Sequence, residues 1–232
     1  MALPCLYDEW SSVGRDFGSR EVVEAYDAYH RRFRDIEAET QAVIAGLGLA
    51  PSMTLADFGC GTGALALQAA RICTTVHAID VSRAMLDYTE WKAKSQGQTN
   101  IVYHHAGFLT YVHEGPPLDA AAASMALHHL PDFWKQKALG RISRMLKPGG
   151  HLYLADVVFA EEEVETRIAQ WIRAMTAKAG PDIGRDLVRH VSTEYSTFTW
   201  IMEGLLSRAG FRIDQADYHD GVLARYFCTK VV

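Results

Sequence analysis

The chain has 232 residues, of which 49% are hydrophobic, and a formal net charge of -5. That length suits one large domain with a full core, the mild acidity leaves no electrostatic footprint for nucleic acid, and no run of about 18 apolar residues is available for a membrane span. Cys5, Cys60, Cys73 and Cys228 are widely spaced without a CxxC pair, and Met1-Ala2-Leu3-Pro4-Cys5 lacks the basic start and apolar core of a secretion signal, so reduced thiols and a cytoplasmic location are expected rather than a disulfide frame or zinc knuckle.

Residues 1–50 carry Tyr7, Trp10, Phe17, Tyr26, Tyr29 and Phe33, a density of aromatics unlike that of a solvated tail. Val22, Val23, Tyr26, Tyr29, His30 and Phe33 share one helical face. The segment is read as helical, either capping a site or packed on a sheet edge. Next comes Leu55-Ala56-Asp57-Phe58-Gly59-Cys60-Gly61-Thr62-Gly63, an apolar run ending in an acid and three alternating glycines. This is the pattern of a strand near 53–58 feeding a nucleotide-binding turn, with Ala64 to Arg71 as a helix whose N-terminal amides face the ligand. The spacing is GxGxG, whereas the dinucleotide fingerprint needs glycine where Ala64 stands. Asp57 would repel a pyrophosphate but attract an ammonium, directly or through water. S-adenosylmethionine satisfies both constraints.

Thr75 to Asp80 reads as the second strand, and Asp80 stands roughly twenty residues beyond the glycine turn, where a carboxylate accepts bonds from ribose hydroxyls. The same acid also suits a helix N-terminus capped by Ser82. Strands near 100–105, 118–125 and 150–157 alternate with helices near 82–95, 132–146 and 161–178, the last opened by Glu161-Glu162-Glu163 with Trp171, Ile172 and Met175 on its apolar face. Gly180, Pro181 and Gly184 break that helix before another from Arg185 to Val191. A helix near 194–209 ends on Gly210 as C-cap, and Phe211 to Tyr218, a turn at Asp220-Gly221, and Leu223 to Val231 form a hairpin. The alternation predicts an α/β fold, a parallel sheet with helices on both faces and ligands beyond the strand C-termini.

In this order the motifs resemble those of the class I S-adenosylmethionine-dependent methyltransferases over about residues 40–230. LADFGCGTG is similar to the first motif and VHAIDVSRAML to the second. LDAAAASMALHHL and ISRMLKPGGHLYLAD resemble the fourth strand, a linking helix, the Pro-Gly-Gly turn and the fifth strand. The resemblance implies a Rossmann-like, doubly wound, seven-stranded sheet of order 3-2-1-4-5-7-6, with the last-numbered strand antiparallel. It implies S-adenosylmethionine as cofactor and S-adenosylhomocysteine as product, with Asp80 on the ribose and Val81 against the adenine. The expected cofactor set is Asp57, Phe58, Gly59, Cys60, Gly61, Gly63, Asp80, Val81, Met85, Gly107, Phe108, Met125 and Ala126, a carbonyl of Ser124, Met125 or Ala126 holding the ammonium. One departure stands in IVYHHAGFLTY, where many relatives carry an acid for the adenine amino group and this chain has Phe108. Polar readout would then fall to backbone near Ala106 and Gly107 or to water, while Phe108 stacks on the adenine or packs in the core.

Two variable parts, a helical cap at 1–50 and a lid-like insertion at 158–193 within the domain 51–232, are expected to set acceptor specificity in one compact unit. Trp10, Tyr26, Tyr29, His30, Trp171 and Tyr195 are the substrate-facing candidates. Catalytic candidates are His129, then His128, at the end of the fourth strand, and Asp156 closing the fifth. One imidazole could orient or deprotonate the acceptor; equally, one could bond to backbone while the other packs behind it, and Asp156 could serve only as a capping acid. No metal is expected, because neighbours on a strand point to opposite faces, so His104-His105 and His128-His129 would each offer at most one ligand. The expected reaction is in-line methyl transfer to O, N, S or C of a small molecule by a monomer or homodimer, with alignment in a dry site outweighing base catalysis. The alternatives are a cofactor-binding module without turnover and a nucleic-acid or protein methyltransferase. Against nucleic acid, Ser124-Met125-Ala126-Leu127 stands where the Asn/Asp-Pro-Pro-Tyr motif for adenine would lie, and basic and aromatic residues do not cluster.

Overall fold

The computed structural model describes residues 5–11 and 19–231; Phe17 and the start Met1-Ala2-Leu3-Pro4 lie outside the described residues. Eight strands among the described residues form one sheet: β1 (Thr54–Phe58), β2 (Thr75–Asp80), β3 (Ile101–His105), β4 (Leu118–Ser124), β5 (Leu146–Phe159), β6 (Thr197–Phe198), β7 (Phe211–His219) and β8 (Leu223–Lys230). Their order is β3-β2-β1-β4-β5-β8-β7, with β6 pairing off β5. The expected order holds once the two-residue β6 is counted, since it shifts the last two numbers by one. β8 runs antiparallel to both β5 and β7.

Central strands covered on both faces need apolar side chains at every position. β4 meets that demand with alanines: Ala121 and Ala123 enter the core on one face, and Ala120 and Ala122 enter the core on the other. The helices are α1 (Arg20–His30), α2 (Ile36–Gly46), α3 (Ala64–Ala69), α4 (Arg83–Ser95), α5 (Asp132–Met145), α6 (Val164–Ala179), α7 (Pro181–Thr193) and α8 (Thr199–Arg208). Ser82 caps α4, its Oγ accepting the Met85 amide at 3.2 Å. Asp220 and Gly221 both adopt positive φ, 54° and 69°, as a two-residue hairpin turn requires.

Local signals misplace four boundaries, the first that of β5, which starts at Leu146 rather than near 150 and takes in Pro148, Gly149 and Gly150. α7 begins at Pro181 rather than Arg185, because proline at the first helical position sacrifices only an amide that has no helical partner, and Gly184 is carried inside the helix. Glu161 to Glu163 precede α6 rather than opening it, with Glu163 in the left-handed region at φ 51°. Residues 194–198 are not helical: the Tyr195 amide donates to the His128 carbonyl at 2.8 Å, and β6 pairs with β5, so tertiary bonds take the backbone groups a helix would have used.

α1 is tied to the body through its C-terminal half. The Thr62 hydroxyl donates to Asp27 at 2.5 Å and the Lys92 ammonium to the same carboxylate at 3.0 Å. Further along, the Tyr29 hydroxyl donates to Asp186, and Arg32 donates to Asp182 at 2.5 Å and to the Ala179 carbonyl. Among the described residues no helix is long and apolar enough to cross a membrane.

Candidate active site

The glycine turn lies at the C-terminal end of β1. Gly59 adopts φ 67°, and a Cβ there would stand 2.4 Å from that of Ala126, so only glycine lets the turn close on the end of β4. Gly61 also has positive φ, 53°, yet nothing lies within 4 Å of its would-be Cβ, and it opens onto a cavity. Gly63 serves packing instead, since a Cβ would meet Thr89 of α4 at 2.4 Å. Asp80, at the end of β2, accepts the amides of Gly61 and Ser82, each at 2.8 Å. It therefore braces the turn and the entry to α4 while lining the cavity. Burial holds its carboxyl above the ordinary range in spite of those bonds. Asp57, facing the Ala66 amide, is pushed up to about 7 by burial and then by the charge of Asp80. Among the described residues no buried cation stands against these two buried acids, which favours a positively charged ligand over a phosphate.

Two cavities flank the strand ends. The first, of about 410 Å³, is lined by Gly59, Gly61, Asp80, Val81, Met85, Gly107, Phe108, Met125 and Ala126, closed by Glu9 and Trp10 from the N-terminal segment. The second, of about 420 Å³, is lined by Tyr29, His30, Phe33, Trp171, Met175, His128, Asp156 and Glu194. Tyr26, Met125 and His129 belong to both.

Phe108 packs in the core, stacked on Phe58 at 5.5 Å between ring centroids, and also lines the first cavity. A carboxylate does reach this wall, but from a distant segment. Glu9 accepts the Leu109 amide at 2.9 Å and the Thr110 hydroxyl at 2.6 Å, and a Cβ on Gly107 would come within 2.4 Å of it. Polar groups near Gly107 thus include an acid, where backbone and water alone were expected.

At the end of β4, Met125 adopts φ 55°, a costly conformation for a residue with a side chain. The chain then enters a 3-10 turn, Leu127–His129. Side chains in such a turn do not alternate between faces, so His128 and His129 lie side by side with ring centroids 4.4 Å apart. This corrects the strand argument that the pair could offer only one ligand. His128 Nδ1–H donates to Asp156 at 2.5 Å, and Asp156 also accepts the His128 and Val157 amides at 2.9 and 2.8 Å. On the far side, His128 Nε2 stands 3.2 Å from Glu194 Oε2, which pairs with His190 Nδ1 at 2.5 Å. Burial alone would depress the pKa of His128, but Asp156 and Glu194 outweigh it and hold the imidazole above its ordinary value. Burial would raise Asp156, but the charge and bond of His128 keep it below the usual carboxylate range. His129 is pushed down to about 4, by burial first and then by the charge of His128, and is a neutral imidazole at pH 7.

Comparison with known proteins agrees with this geometry. Residues 55–150 match the family described as a methyltransferase domain. A methyltransferase of Geobacillus kaustophilus (strain HTA426) is 29% identical over 205 residues, covering 86% of this chain and 90% of its own length. One from Geobacillus thermodenitrificans (strain NG80-2) is 28% identical over 210 residues, covering 88% and 93%. The crystal structure of an S-adenosylmethionine-dependent methyltransferase from Aquifex aeolicus shares the fold at TM-score 0.64 and 18% identity, over 92% of this chain and 99% of that one. Residues 55–150 thus carry a methyltransferase domain, and the chain around them has the fold of the solved S-adenosylmethionine-dependent methyltransferase.

Around this methyltransferase domain the residues singled out from sequence separate into three groups. Gly59, Gly61, Asp80, Val81, Met85, Gly107, Phe108, Met125 and Ala126 surround one cavity, together with Trp10, which had been grouped with the substrate-facing residues. Tyr26, Tyr29, His30, Trp171, His128, His129 and Asp156 meet at the other. Asp57, Phe58, Cys60 and Gly63 are not part of either lining, and neither is Tyr195, whose carbonyl accepts the Lys135 ammonium. Sequence reasoning missed Glu9 and Glu194. Neither sits in a motif or at a strand end, and Glu9 acts on a residue 100 positions away.

Proposed function

We propose that this methyltransferase acts on a small molecule held in the second cavity, with S-adenosylmethionine in the first. The observation that carries the reading is the shared wall: Tyr26, Met125 and His129 border two cavities of nearly equal volume, about 410 and 420 Å³, as a two-substrate transfer needs. The residues of the first cavity fit the cofactor. The open glycine at 61 admits close backbone approach, Asp80 is placed for a ribose diol, and the Asp57–Asp80 pair suits a ligand with cationic ammonium and sulfonium groups. The second cavity falls within the usual range of roughly 300–1,000 Å³ for small-molecule sites.

The cofactor supplies a sulfonium methyl, whose bonding pair stays on sulfur as a lone pair from O, N, S or C of the acceptor replaces it. Tyr26, Met125 and His129 frame the passage. Tyr29, Phe33 and Trp171 keep water from the acceptor, so that alignment supplies most of the rate gain. His129, neutral at pH 7, presents a lone pair that can accept the acceptor's X–H and orient it. Buried, unpaired Cys73 and Cys228 suit a reducing cytoplasmic setting. The test is His129→Ala in steady-state and binding assays: kcat should fall by roughly 10-fold or more while the cofactor Kd is spared. An unchanged kcat would remove His129 from the passage.

A further inference from the structure

We propose that His128, His129 and Glu194 bind a divalent first-row transition ion, zinc foremost, at the meeting point of the two cavities. One ring nitrogen of each histidine and one carboxylate oxygen of Glu194 all lie within 4.8 Å of one another. Ligand atoms about 2.0–2.1 Å from a tetrahedral zinc are about 3.3 Å apart. His128 Nε2 and Glu194 Oε2, 3.2 Å apart, already have that spacing, and the edges to His129, within 4.8 Å, would close on the ion.

The groups behind these donors are arranged as they are around metal ligands. A ligating histidine usually donates its other ring N–H to a carboxylate, which fixes the tautomer. Asp156 does this for His128 and is itself held by two backbone amides. His190 steadies Glu194, and Ser196 lies 2.8 Å from His190 Nε2. An ion-pair array would be complete with Asp156, His128 and Glu194. His129 adds a donor whose ring makes no hydrogen bond among the described residues and which borders both cavities. The strained Met125 directs the turn that delivers it.

Two histidines and one carboxylate are a ligand set that leaves a coordination position open. Here that position borders the acceptor cavity, so with the ion bound the metal, in place of the His129 lone pair, would orient an acceptor hydroxyl or thiol that gives its proton to solvent on entering and keeps the lone pair that attacks the methyl. This role rests on the two-cavity reading; ion binding does not.

The test is calorimetric titration of the chelator-treated full chain with zinc chloride. About one equivalent should bind saturably. Glu194→Gln should abolish binding, and His129→Ala and Asp156→Asn should weaken it by roughly 10–100-fold, with circular dichroism and S-adenosylhomocysteine binding confirming that each variant is folded. A rival site lies at His77 and His104, whose ring nitrogens are 3.0 Å apart, so His104→Ala must leave the titration unchanged. No saturable binding, binding that survives both Glu194→Gln and His129→Ala, or binding lost in His104→Ala overturns the proposal. Zinc binding without methyl transfer to any acceptor would instead sink the acceptor reading and leave the ion site standing.

Discussion

Asp57 and Asp80 are the two buried acids near the ends of β1 and β2, and each makes a separable prediction. The native carboxyl of Asp57 titrates near about 7, above its ordinary 3.8, because burial and then Asp80 oppose ionisation. A carboxyl raised in this way holds its proton more tightly in the native state than in the unfolded one. Its contribution to stability is full below about pH 4 and is lost as pH climbs through about 7. Asp57→Asn removes that dependence. In urea unfolding, variant and wild type should match near about pH 4, and the variant should be more stable by roughly 2–4 kcal/mol near about pH 8. Parallel stability curves across that range would mean that Asp57 is not held neutral. For Asp80, replacement by alanine should weaken S-adenosylmethionine binding by roughly 1.5–3 kcal/mol, the range for hydrogen bonds to a charged group. An unaltered Kd in a folded variant would take Asp80 out of the site.

Among the elements, the N-terminal segment does most to complete the site. Glu9 caps the loop after β3 by accepting the Leu109 amide and Thr110 hydroxyl, Trp10 meets the edge of His105 at 4.8 Å between ring centroids, and Asp27 clasps α1 to the glycine turn. If Glu9 holds that loop closed, Glu9→Ala should speed hydrogen exchange at the Leu109 amide by about 10-fold or more while leaving β4 amides protected. Unchanged exchange at Leu109 would show that the loop stands without it. These long-range clasps also explain which elements were legible in the sequence. β1, β2, the turn between them and the closing hairpin follow from local chemistry: an apolar run, glycines with positive φ, an acid at a strand end. The span 194–198, read as the start of a helix, yields its backbone groups to His128 and β5, and no local pattern reports that.

Over the whole molecule, topology brings the strand ends together, and this is why much of the first cavity's wall was legible in the sequence. Motif residues at the ends of β1, β2 and β4 converge whatever lies between them. The second cavity was less legible. His128, His129 and Asp156 could be listed, yet their pairing depended on a 3-10 turn in place of a strand, and on Glu194 arriving from the end of α7. Ligand linkage makes a prediction at this scale. S-adenosylhomocysteine at about 100 times its Kd adds about 2.7 kcal/mol, so Tm should rise by roughly 5–10 °C. A thermal shift confined to NAD would mean that the glycine turn serves a different nucleotide.

The most direct measurement is a crystal structure of the complex with S-adenosylhomocysteine. The ribose should lie on Asp80, the adenine beside Val81 and Phe108, and the sulfur should face the Tyr26–Met125–His129 wall with the second cavity beyond it. A ligand seated in the second cavity, or one whose sulfur points away from that wall, would contradict the two-cavity account of methyl transfer.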